Sequence, residues 1–150
     1  MHPQVRIIIG SKSDLEKITP AKEILEEFEV SYDLHISSAH RNPEKTIALA
    51  QNAKAEGIEI IIAGAGLSAH LPGFIAAHTT LPVIGIPLAS GALNGLDALF
   101  SIVQMPSGVP VACMAINGAK NAALYAVQIL ALKDKDLEKK FSAYKKGLEG

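Results

Sequence analysis

Five short apolar runs alternate with segments of helical period along this chain, and that alternation confines it to a parallel sheet with helices on both faces. Val5-Arg6-Ile7-Ile8-Ile9 predicts a first strand. Residues 13–28 carry Leu15, Ile18, Ala21, Ile24, Leu25 and Phe28 on one helical face, with Pro20 either kinking the helix or following a Thr19 cap. Tyr32, Leu34 and Ile36 alternate with Asp33 and His35, as in a half-exposed edge strand. Asn42-Pro43 reads as a cap and first-turn proline opening a helix over 43–56. Ile58 to Ala63 is nearly all apolar and predicts a central strand. A short helix follows near 70–79, then a strand at Val83–Ile86. Leu96, Leu99, Phe100 and Val103 mark a helix, and Val111 to Ile116 a fifth strand. The chain continues with an Ala-rich helix over 119–132 and an amphipathic helix on Leu137, Phe141, Tyr144 and Leu148.

An edge-like second strand beside central first and third strands favours strand order 2-1-3-4-5. That is a three-layer α/β/α sandwich of flavodoxin-like form, in one domain spanning residues 1–150. Ligands in such sheets sit beyond the carboxyl ends of the strands, where strand order reverses. Here that point lies between strands one and three. With 49% hydrophobic and 19% charged residues the chain is not disordered. Fourteen basic against 15 acidic residues give a net charge of -1, which leaves no basic field for nucleic acid. No apolar run approaches the roughly 20 residues of a membrane helix. The single cysteine, Cys113, lies in an apolar run and reads as a buried structural thiol. With no signal peptide before the first strand, the expected location is cytoplasmic. Ala and Gly are abundant, and the Ala-rich helix and other apolar helix faces are expected between subunits of a homo-oligomer.

Three turns fall at the ligand edge. They are Gly10-Ser11-Lys12-Ser13-Asp14, Ser37-Ser38-Ala39-His40-Arg41 and Gly64-Ala65-Gly66-Leu67-Ser68-Ala69-His70. Each sets small residues and free backbone N–H groups at a helix start, a natural seat for phosphate or carboxylate. Any one alone reads as ordinary capping by Ser13, Asp14 or Asn42. Three together, with an arginine and two histidines, point to an anion site. Arg41 offers a fixed fork for phosphate, and His40 a proton donor and acceptor near neutral pH. His2, His35 and His78 read as surface or structural residues. The third turn fits the dinucleotide pattern, but the acidic residue wanted about 20 positions on is replaced by apolar sequence around Ile84. His70 stands where a nucleophile elbow needs glycine. No phosphate-loop motif and no metal-ligand spacing occurs in the sequence.

The first two turns, with Ala69-His70-Leu71-Pro72-Gly73 and Ser101-Ile102-Val103-Gln104-Met105-Pro106, resemble the PurE family of purine biosynthesis. The resemblance covers almost the whole chain. It implies N5-carboxyaminoimidazole ribonucleotide mutase activity, by decarboxylation and recarboxylation in a closed pocket, without metal or organic cofactor. It implies that His40 is the general acid/base, that Ser11, Asp14 and Arg41 bind the nucleotide, and that Arg41 meets the phosphate and Asp14 the ribose. Ser13, Ser38, Ala65, Gly66, His70 and Leu71 would wall the base and carboxyl pocket, and Gly10 and Ala39 are counted with the substrate-binding residues. It also implies a homo-octamer. A second branch of the family carboxylates aminoimidazole ribonucleotide directly with carbon dioxide. That branch carries Lys after the catalytic His and lacks Ala-His-Leu-Pro-Gly, so Arg41 and His70 side with the mutase. Leu67-Ser68 stand where the family commonly has Gly-Ala. A non-catalytic nucleotide-binding module is the alternative from another class; it would need Arg41 but have no use for His40.

Overall fold

The computed structural model describes residues 2–150. Five strands form one parallel sheet in the order β2-β1-β3-β4-β5. They are β1 Val5–Ile9, β2 Tyr32–Ile36, β3 Ile60–Gly66, β4 Val83–Leu88 and β5 Ala112–Cys113. The helices are α1 Leu15–Glu27, α2 Pro43–Gln51, α3 Leu71–Ala76, α4 Leu96–Val103, α5 Ala119–Ala131 and α6 Lys135–Gly147. Alternation along the strands divides the core in two. Val5, Ile7, Ile9, Ile60, Ile62, Ile84 and Ile86 pack with α1, α5 and α6. Ile8, Ile61, Ala63 and Val83 pack with α2, α3 and α4. This is the expected three-layer flavodoxin-like sandwich.

Several boundaries differ from expectation. β3 begins at Ile60 and runs on through Gly64, Ala65 and Gly66, which stay in register with β4. Apolarity alone stopped the reading at Ala63. Gly64 continues the strand because α1 comes close there: a Cβ on Gly64 would sit 3.1 Å from Ile18 Cδ1. β5 has only two residues instead of six. Beyond it, Met114 N–H still bonds Gly85 O and Asn117 N–H bonds Pro87 O. Three residues on one chain thus oppose two on the other, and the extra residue breaks the ladder. α2 stops at Gln51, and the chain proceeds in loose turns to Gly57, whose φ of 90° reverses it. α3 spans only Leu71–Ala76, tightening at its end through His78 N–H to Ile75 O.

α1 passes through Pro20 without breaking. The proline is exposed, so the carbonyl of Glu16 that loses its donor faces solvent, while Ile18, Ala21, Ile24 and Leu25 hold the opposite face on the sheet. Leu15, expected on that buried face, is exposed. The Ala-rich helix also departs from expectation. Ala119, Ala122, Ala123 and Ala126 are fully buried inside the chain, in the core that α5 shares with α1. Their small size serves helix–helix approach within the subunit and leaves no alanine face for a neighbour. The exposed apolar side chains include Tyr125 on α5 and Leu132 at its end, and Leu93 with Leu96, Phe100 and Val103 of α4, the last three spaced four and three residues apart. Cys113 is only half-buried, and burial pushes its thiol pKa up. No helix of the described residues is long and apolar enough to cross a membrane.

Candidate active site

β1, β2 and β3 deliver their following turns to one edge, where they enclose a cleft of about 580 Å³. Gly10, Ser11, Ser13, Asp14, Ser38, Ala39, His40, Arg41, Ala65, Gly66, His70 and Leu71 all line it, so every expected site residue is brought together. Leu67, Ser68, Ala69 and Ser90 complete the lining. A depression of similar size, about 600 Å³, lies around Ile58, Leu81, Ile129 and Leu132. Its charged groups are Lys54 and the Lys133–Glu59 ion pair, and it lacks the convergent histidines and arginine of the first.

The first turn is ordered by Ser11. Its Oγ accepts the Ser13 N–H at 3.3 Å and contacts Ser13 Oγ at 3.0 Å, closing a single 3-10 turn over Lys12–Asp14. Asp14 stands at the N-cap of α1 but makes no capping hydrogen bond through its side chain. Capping therefore does not account for it, and its carboxylate stays available to a ligand. Only 9% of Asp14 is exposed. Burial raises its pKa, against the opposing pull of Lys17, the Ser11 backbone and Arg41.

The second turn is tied to the first. Arg41 Nη2 donates to Gly10 O at 3.1 Å, and the Arg41 N–H donates to Ser38 Oγ at 3.2 Å. Asn42 does cap α2, its Oδ1 accepting the Lys45 N–H at 3.3 Å. The guanidinium is thereby aimed across the cleft from an exposed position, with donors to spare. His40 Nε2 lies 2.6 Å from His70 Nδ1, with the two rings edge to face at 4.7 Å between centroids. One nitrogen of that contact must donate and the other accept, so the tautomer of each ring is tied to that of the other.

Ser90 is the residue that sequence reasoning missed. β4 runs through Pro87 to Leu88, beyond the expected end at Ile86, and so reaches the same edge as the other turns. A Cβ on Gly66 would lie 3.1 Å from Ser90 Cβ and 3.2 Å from Leu88 O, so a side chain there would press on this loop and glycine lets it come close to β3. The loop is pinned from both sides: Lys17 Nζ donates to Ala89 O, and the Ala89 N–H donates to Asn117 Oδ1 at 2.9 Å. The signal available in the sequence was position alone, a small-residue stretch after a fourth strand.

Residues 4–150 match the family model described as AIR carboxylase, a span that takes in every element of the cleft. The chain belongs to the AIR carboxylase family. N5-carboxyaminoimidazole ribonucleotide mutase from Thermotoga maritima is 54% identical over 147 residues, covering 98% of this chain and 86% of that protein. The protein of the same name from Pyrococcus horikoshii is 56% identical over 147 residues, with 98% and 83% covered. Among solved structures, Treponema denticola PurE superposes with a TM-score of 0.89 at 30% identity, covering 98% of this chain and 92% of that one. The residues matched by the AIR carboxylase family model include all three turns that build the cleft.

Proposed function

We propose that this protein is an N5-carboxyaminoimidazole ribonucleotide mutase, an isomerase of purine biosynthesis that moves a carboxyl group from the exocyclic nitrogen to ring carbon 4. The observation that carries the reading is the His40–His70 contact set beside the Arg41 fork in one cleft. Relatives more than half identical over nearly the whole chain bear that name.

The chemistry follows from these groups. Arg41 holds the phosphate, and Ser11 and Asp14 hold the ribose end. The carbamate carbon–nitrogen bond breaks, its electron pair stays on nitrogen, and carbon dioxide is released into the cleft. His40 gives its proton to that nitrogen. Ring carbon 4 then bonds to carbon dioxide, and His40 takes back the proton that this carbon sheds. Ala65, Gly66, Ala69 and Leu71 supply a small, apolar wall around the trapped carbon dioxide. Neither metal nor organic cofactor is required by this sequence of bonds. The test is to mix the purified protein with the carbamate substrate, without bicarbonate, and follow product absorbance. Product only when bicarbonate is supplied with aminoimidazole ribonucleotide would favour direct carboxylation; nucleotide binding with neither reaction would favour a binding module.

Two side chains separate binding from chemistry. Arg41→Ala should raise the half-saturating nucleotide concentration by one to two orders of magnitude, about what a charged hydrogen-bonding partner contributes, with a much smaller effect on turnover at saturation. Arg41→Lys should not restore it fully, because the bidentate fork is lost. Asp14→Asn should weaken binding while holding or raising the melting temperature. The folded carboxyl has a raised pKa, so its ionised form costs stability as pH climbs through the ordinary and then the folded value. A lower melting temperature at neutral pH in Asp14→Asn would contradict this.

We also propose that the protein is a cytoplasmic homo-octamer. The apolar stripe of Leu96, Phe100 and Val103 is the surface that supports assembly. Phe100, 56% exposed, is its largest member. Phe100→Asp should shift the sedimentation profile toward smaller species at micromolar concentration, and an unchanged profile would remove α4 from the interface.

A further inference from the structure

Four non-glycine residues adopt positive φ: Glu29 at 57°, Leu67 at 55°, Asn94 at 51° and Asn117 at 60°. Three of them have ordinary causes. Asparagine tolerates the left-handed region. Glu29 follows the end of α1, where a left-handed residue terminates the helix, and its N–H donates to Glu26 O at 3.0 Å. Leu67 has neither excuse. A leucine there is strained, because its Cβ crowds the following carbonyl.

Burial does not repay that cost. Leu67 is 55% exposed, although it lines the cleft directly after Gly66. Its side chain leans on one neighbour: a Cβ on Gly91 would sit 3.0 Å from Leu67 Cδ2. Gly91 follows Ser90 on the loop that Lys17 and Asn117 hold in place. Leu67 therefore lies at the edge of the cleft, between the turn after β3 and the fixed loop after β4, and presents a branched apolar group there. Gly91, itself at φ 71°, has no side chain to hold it off.

We propose that Leu67 is the retaining residue of the cleft, an apolar barrier on its rim that keeps released carbon dioxide beside ring carbon 4 until it is recaptured. This rests on the mutase reading. It assigns the strained backbone a function: the left-handed turn aims the side chain over the opening, where an unstrained leucine would not point. Leu67 positions and shields, and takes no part in proton transfer.

The experiment follows the carboxyl carbon. Wild-type protein and the variants Leu67→Gly and Leu67→Asn are given the carbamate substrate in the presence of ¹³C-labelled bicarbonate and carbonic anhydrase, and label in the product is counted per turnover alongside free aminoimidazole ribonucleotide. Both replacements suit a positive φ, so neither should be lost to misfolding, and thermal melts check this. The expected result is a several-fold rise in labelled product and in leaked aminoimidazole ribonucleotide for both variants. Label and leakage equal to wild type in both variants would overturn the proposal, as would a rise matched by a collapse of the melt. Wild-type protein inert toward the carbamate would instead defeat the mutase reading on which the proposal stands, and so the two failures are told apart.

Discussion

His40→Asn should fold, bind nucleotide and lose turnover by roughly two to four orders of magnitude, the usual worth of acid/base catalysis. A single group must give a proton to nitrogen and take one from carbon, which needs a pKa near the working pH. Lysine and arginine are in general too basic to give and retake a proton near neutral pH. Asp14 is buried against the first turn, on the side that Arg41 and Ser11 occupy. That leaves His40 and His70, which touch at 2.6 Å. The role proposed for His40 is that of acid/base, as the family resemblance implies, and the role proposed for His70 is to hold its ring and tautomer. His70→Asn should then lower turnover less than His40→Asn, because it removes a contact that orients the ring and leaves the proton carrier in place. Single-turnover rates for both variants, with nucleotide affinity measured separately by calorimetry, decide the matter. A dead His70→Asn beside an active His40→Asn would exchange the two roles. If neither replacement mattered, the enzyme reading would yield to a binding module.

The fold was legible because strand and helix periods differ, and because Tyr32-Asp33-Leu34-His35-Ile36 alternates while Ile60-Ile61-Ile62 does not. That contrast gave edge and centre, and with them the strand order. The cleft followed from the topology, since the carboxyl ends of β1 and β3 meet where the order reverses. What stayed hidden were contacts that residue type does not signal. His40 and His70 are 30 positions apart, and only the sheet register brings their rings together. The strain at Leu67 has no composition cue, because leucine rarely takes that backbone conformation. Ser90 was missed because Pro87 and Leu88 extend β4 past its expected end. The alanines of α5 announced close packing but not against what; α1, not a second subunit, meets them. Arg6 sat unremarked inside an apolar strand.

Arg6→Met should lower unfolding free energy by roughly 2–4 kcal/mol, slightly below the range for breaking a fully buried ion pair. Arg6 is 3% exposed on a central strand. Its Nε reaches both Asp33 oxygens at 3.1 and 3.2 Å, its Nη2 reaches Asp33 at 2.7 Å and Glu56 at 2.5 Å, and its Nη1 donates to Leu49 O at 3.0 Å. Methionine fills much of the volume but removes the arginine donor from four oxygens, two on Asp33, one on Glu56 and the Leu49 carbonyl. Glu56 is about half exposed and can turn to water, which is why the low end of the range applies. Asp33 cannot, and keeps only His35 within 3.2 Å. A second variant, Arg6→Met with Asp33→Leu, should recover most of the loss, since an apolar pair can replace a buried ionic one. The pH dependence supplies an independent check. Burial would push the Asp33 carboxyl up, but Arg6 and His35 outweigh it and hold the group below its ordinary 3.8. A depressed folded value means stability that is fully present above the ordinary value and fades as pH falls through the folded one. In Arg6→Met that advantage is already gone, so the two urea midpoints should converge as pH drops below about 4. A gap that stays constant from neutral pH down to about pH 3 would mean that Arg6 acts through packing alone.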